Sequence, residues 1–178
     1  MSISADLRSF VRQRAQFACE YCGVTEIDSG GELTIDHYQP PRRGGSSTHP
    51  DNLLYCCQRC NQYKSDYWPI NQGDTPLWNP RCNQRDTHIV NLADGALYPL
   101  TAIGNFTIHR LRLNRPPLIK HRLRQYRTIE ETRLLEDLRG ILLLQEHLQQ
   151  QHAALLQEQR VLLEQQRELL AILLRLRN

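Results

Sequence analysis

The sequence predicts an α+β chain in three parts: a small metal-stapled core at residues 1–70, a mixed α/β extension at 71–116 and a long amphipathic helix at 117–178. Two observations carry this reading. Two Cys-x2-Cys pairs, Cys19/Cys22 and Cys57/Cys60, bracket a stretch that reads as strand, loop, strand, helix. After Pro117 no proline occurs, and an apolar residue recurs every seven positions.

Taken in order, residues 5–17 place Leu7, Phe10, Val11 and Phe17 near one face of an amphipathic helix. It leads into Cys19 and Cys22, whose turn ends at Gly23. Asp28-Ser29-Gly30-Gly31 is a turn, and Leu33 to His37 a short strand with Leu33 and Ile35 on one face. Residues 40–50, with Gly44 and Gly45, form a loop, and Asn52 to Cys56 the returning strand. A helix from Cys57 to Tyr67 stops before Pro69. Beyond it, Pro76, Pro80, Gly95, Pro99 and Gly104 divide the chain into short pieces: two strands around 91–95, then a helix near 101–112. Asn114 is a candidate N-cap for the last helix, with Pro116 or Pro117 in its first turn.

Composition narrows the function classes. The formal charge is +3, and of 22 basic residues only Lys64 and Lys120 are lysines. Arginine's planar fork suits bidentate phosphate contacts, so the balance tilts toward a nucleic-acid partner. Residues 1–6 lack a charged-then-apolar signal pattern, and no uncharged run has the length to cross a bilayer. The expected location is the cytoplasm, where thiols stay reduced, so the paired cysteines point to metal rather than disulfides. Four thiolates close a tetrahedral Zn2+ shell with no open position, which makes the ion structural. A unit this small buries too little surface to hold together without such a staple. Cys56 and Cys82 fall outside the spacing and read as small hydrophobes. His49, His88, His109, His121, His147 and His152 have no ligand partners at useful spacing and read as structural.

Between the cysteine pairs lie Ile35-Asp36-His37 and, fifteen residues after His37, Asn52; Asn61-Gln62-Tyr63-Lys64 follows Cys60. Two Cys-x2-Cys pairs around an Asp-His pair and two asparagines resemble the HNH endonucleases, in their four-cysteine zinc-stabilised form with Asn at the third position. Leu77-Trp78-Asn79-Pro80-Arg81 and Leu113-Asn114-Arg115-Pro116 look like an extension found on one bacterial group of these proteins, so the resemblance covers about residues 5–125. It implies a zinc-stapled ββα-metal core that hydrolyses DNA phosphodiesters, by nicking or double-strand cleavage. Carried over by position, Asp36 and Asn61 are ligands of a catalytic divalent ion, His37 is the general base on water, and Asn52 braces the loop and orients the histidine. Oxygen ligands favour Mg2+ or Mn2+. Lys64, one turn beyond Asn61, is expected to touch a phosphate or to be solvated. Arg42 and Arg43 in the Gly-rich loop are candidate DNA contacts. So are Arg122 and Arg124, within the basic run from Arg110 to Arg127. The alternative is a zinc-stapled DNA-binding or adaptor module acting within a partner complex such as a defence system.

The C-terminal helix carries its own signal. Leu134, Ile141, Leu148, Leu155, Leu162, Leu169 and Leu176 recur every seven residues, and Leu135, Leu142, Leu156, Leu163 and Leu170 form a second row broken at Gln149. A strict seven-residue repeat implies a left-handed supercoil with a partner. With the first row at d, the a positions are Leu138, Gln145, His152, Gln159, Gln166 and Leu173, polar residues that fix register at some cost in stability. The expected partner is a second copy, giving a homodimer, or another protein docking there.

Overall fold

In the computed structural model the described residues are 3–177, with side chains to Leu173. The chain divides into two compact units, Met1–Tyr126 and Arg127–Asn178.

The first unit begins with α1 (Ala5–Arg14), capped by the Ser4 hydroxyl, which accepts the Leu7 N–H at 3.2 Å. It ends before the predicted residue 17 because Gln16 and Phe17 both take positive φ, 52° and 59°, which no helix continues through. Of the four predicted face residues only Val11 is fully buried; Phe10 and Phe17 are exposed, with the guanidiniums of Arg14 and Arg12 over their rings. The predicted turn at 28–31 begins inside a helical turn, α2 (Glu26–Ser29). A capping box between Thr25 and Asp28 starts α2, and Gly30 in the left-handed region stops it.

The central hairpin pairs β1 (Thr34–His37) antiparallel to β2 (Leu53–Cys56), with Asp36 opposite Leu54 and His37 opposite Leu53. All four β2 residues are buried, because α1 and the rest of the core cover both faces of that strand. α3 (Gln58–Lys64) follows at once and packs on β1; it stops where Ser65 turns to φ 54°. The strand–loop–strand–helix order predicted from the sequence is present.

In the extension, β3 (Ile89–Asn91) and β4 (Leu97–Pro99) form a second hairpin, and α4 (Ala102–Arg110) is capped by Thr101. A Cβ on Gly104 would collide with the His88 carbonyl, so α4 approaches that strand only because the residue is glycine. Trp78 stands edge-on to Tyr21, with centroids 6.2 Å apart; its backbone N–H donates to Thr107 Oγ1 at 2.8 Å and its indole N–H to the Asn83 carbonyl at 2.9 Å. Asn114 does not cap the last helix: its amide accepts from the Leu97 N–H at 2.7 Å and donates to the Leu97 carbonyl at 2.8 Å.

α5 (Pro116–Arg177) is continuous. Its portion in the second unit is exposed on every side among the described residues. The side chains of Leu176 and Arg177, at the end of the repeat, lie outside the described residues. No described helix is long and apolar enough to cross a membrane.

Candidate active site and metal centre

The two cysteine pairs converge. The sulfurs of Cys19, Cys22, Cys57 and Cys60 all lie within 4.8 Å of one another and all four residues are buried. Cys22 and Cys57 sulfurs stand 3.6 Å apart. A tetrahedron of zinc–thiolate bonds of about 2.3 Å puts sulfurs roughly 3.8 Å apart, so the donor set and its spacing fit such an ion. Cys56 is fully buried, as expected; Cys82 is exposed instead, its sulfur taking an N–H from Asn79 at 3.2 Å, because its segment lies on the surface.

The first pair is fastened to β2 by its own spacer. The Glu20 N–H donates to the Tyr55 carbonyl at 2.9 Å, and Glu20 Oε2 accepts the Tyr55 N–H at 2.7 Å. The other carboxylate oxygen pairs with Arg81, which ties the extension to the cysteine turn.

The polar cluster follows from two periodicities. Alternation on β1 puts Thr34 and Asp36 on one face. Three-residue spacing on α3 puts Asn61 and Lys64 on one face. The two faces meet: Asn61 Nδ2 donates to Thr34 Oγ1 at 3.2 Å, and Lys64 Nζ lies 3.1 Å from Asp36 Oδ2. Lys64 is 0% exposed, and its ammonium also donates to the His37 carbonyl at 2.6 Å. The expected phosphate contact or solvated lysine is therefore corrected: this lysine is interior, and its charge answers Asp36. Asp36 Oδ2 is buried, and the group that faces it is the Lys64 ammonium. Burial pushes the Asp36 carboxyl above its ordinary range, with Lys64 pulling the other way.

His37 is half-buried and points to the loop, where Nε2 lies 3.1 Å from the Ser47 carbonyl. A carbonyl only accepts, so Nε2 carries a proton, and in the neutral ring the lone pair is then on Nδ1. The loop is held by Asn52, whose Oδ1 accepts the Gln39 N–H at 2.8 Å and whose Nδ2 donates to the carbonyls of Gln39 and Ser46 at 2.9 and 2.7 Å. Gly45 makes this approach possible: a Cβ there would strike the Gln39 carbonyl and come within 2.9 Å of Asn52 Nδ2.

The predicted phosphate contacts separate. Arg42 and Arg43 are exposed in a 3₁₀ turn, Pro41–Arg43, on that loop. Arg124 is exposed on α5. Arg122 is buried, donating to the carbonyls of Gly95 and Leu113, so it ties α5 to the second hairpin and cannot reach a nucleic-acid backbone. Other members of the basic run dock on α3 and the residues after it. Arg110 lies over Tyr67 and donates to the Lys64 carbonyl, while Arg112 and Arg115 lie over Tyr63. Sequence reasoning missed Gly45, Glu20 and the linkage of Arg12, Glu26 and Tyr55. The signal for Gly45 was its place in a glycine pair beside the motif; Glu20, Glu26 and Tyr55 carry no local sign.

Residues 19–66 match the family model described as HNH endonuclease. No curated protein and no solved structure matches the chain.

Proposed function

We propose that this protein, whose residues 19–66 match the HNH endonuclease family model, hydrolyses DNA phosphodiester bonds with a divalent ion and His37 as general base. The observation that carries the reading is the His37 ring, proton on Nε2 against the Ser47 carbonyl and lone pair on Nδ1. A ring nitrogen with a free lone pair can take a proton from water. Asn52 acts on it at one remove: it holds the Ser46 carbonyl, and the next residue's carbonyl holds His37.

Asp36 and Asn61 would hold Mg2+ or Mn2+. Asp36 offers a carboxylate whose charge Lys64 already attends, and Asn61, its Nδ2 spent on Thr34, keeps an oxygen acceptor. When bound, the ion supplies Lewis-acid stabilisation of the phosphate and the leaving O3′. Lys64 positions the pair by holding both the Asp36 carboxylate and the His37 carbonyl. The expected ends are 5′-phosphate and 3′-hydroxyl. The four-thiol cluster would hold a structural Zn2+, its thiols kept reduced in a cytoplasmic setting. Arg42, Arg43 and Arg124 are the exposed candidates for the DNA backbone. The chain acts as a homodimer joined through α5.

Supercoiled plasmid incubated with and without Mg2+ or Mn2+ tests the reading. Relaxation or linearisation that requires the ion and is lost in His37→Ala is expected. DNA binding without cleavage under any divalent ion would instead support the adaptor role.

A further inference from the structure

Beyond Arg127 two rows of α5 stand exposed, one from Leu134 to Leu169 and the other from Leu135 to Leu170. At about 100° per residue, positions four after the first row and three after the second fall between them. That midline reads Leu138, Gln145, His152, Gln159, Gln166, Leu173: polar in its four central layers and leucine at both ends. A partner presenting a plain apolar face would set those four polar side chains against hydrocarbon. A second copy of the same helix need not.

We propose that two copies pair through this face in parallel and in register. In a parallel pair a residues meet a residues and d residues meet d, so Gln meets Gln, His meets His, and leucine closes both ends. In an antiparallel pair each a residue faces a d residue. The central four would then press on Leu or Ile with their donors and acceptors unmet, which costs more than pairing them. The polar midline is therefore a device for orientation: it penalises the reversed helix and any register shift that sets glutamine against leucine. A parallel pair receives both chains at the same end, Arg127, so both 19–66 domains are tethered there. The inference rests on the homodimer reading above and not on cleavage.

Sedimentation of the full chain at micromolar concentration, with photocrosslinking from p-benzoylphenylalanine at position 137 beside Leu138, tests it. A mass of two chains is expected, with crosslinks landing on the partner peptide between 133 and 145. A one-chain mass overturns the proposal, and so do crosslinks landing beyond 160. Leu155→Arg with Leu162→Arg is expected to halve the mass while leaving metal content and DNA cleavage per chain measurable. An unchanged mass in that variant shows the face is not the interface.

Discussion

Lys64 and Asp36 form an ion pair inside the protein, Nζ to Oδ2 3.1 Å, with the lysine side chain 1% exposed and the aspartate 11%. Two charges withdrawn from water depend on each other. Removing one leaves the other buried and unanswered, which costs about 3–5 kcal/mol, while removing both is far milder. Lys64→Met is therefore expected to lower stability by that order in urea unfolding, and Lys64→Met with Asp36→Asn to recover most of it. With Asp36→Asn measured alone as well, a double-variant loss equal to the sum of the two single losses would show that the pair is not coupled.

His37→Ala is expected to lose at least roughly 100-fold in cleavage rate with fold and DNA affinity kept, the size of a general-base contribution. Gly45→Ala tests the support behind it. The added methyl must displace the Gln39 carbonyl or the Asn52 amide, so cleavage should fall while the melting of the core changes little. Full activity in Gly45→Ala would dissociate the loop clamp from His37.

Cys57→Ser removes one of four converging thiols. Because structural zinc binding is coupled to folding, it should lose the ion and the far-UV signal of the core together. Asp36→Ala should keep one zinc per chain and lose divalent-dependent cleavage. Metal analysis beside circular dichroism separates the two. A folded, zinc-loaded Cys57→Ser protein is the outcome that sinks the four-thiol assignment.

Glu26 links α1 to the hairpin, taking Arg12 at 2.6 and 2.7 Å and the Tyr55 phenol, which in turn accepts the Leu33 N–H at 2.8 Å. The Arg12 hydrogen bond first, then Tyr55's, holds the Glu26 carboxyl at about 2 against an ordinary 4.5. The folded value is the lower one, so this linkage stabilises fully above the unfolded value and fades as acid takes the pH down toward the folded one. Wild type should therefore lose more stability across that acid window than Glu26→Gln does. Parallel melting curves against pH would rule the linkage out.

The parts legible in the sequence are those fixed by short-range rules. Cysteine spacing placed the four thiols, and alternation with turn residues placed β1, β2 and α3 in order. Lys64 and Arg122 were misjudged because a cation's fate depends on what meets it across space. On its own helix Lys64 looks like any solvent-facing lysine. The clue was joint: Thr34 and Asp36 share a strand face, Asn61 and Lys64 share a helix face, and only their apposition buries the ammonium. Phe17 failed for another reason. A periodic count assumes that the helix runs on, and the two left-handed residues at its end rotate Phe17 out of the pattern.

The exposed 41–49 loop lies, in chain order, between the two cysteine pairs. A protease cutting there would make two peptides, each owning one strand of the hairpin and two of the four sulfurs. An ion gripped by all four would rivet the peptides to one another, and the backbone ladder between β1 and β2 would add to the hold. Such a clipped protein should travel as one species in a native gel and come apart on a chelator, with no denaturant added. Continuity of the chain and integrity of the fold would then be separate properties, the second residing in the ion.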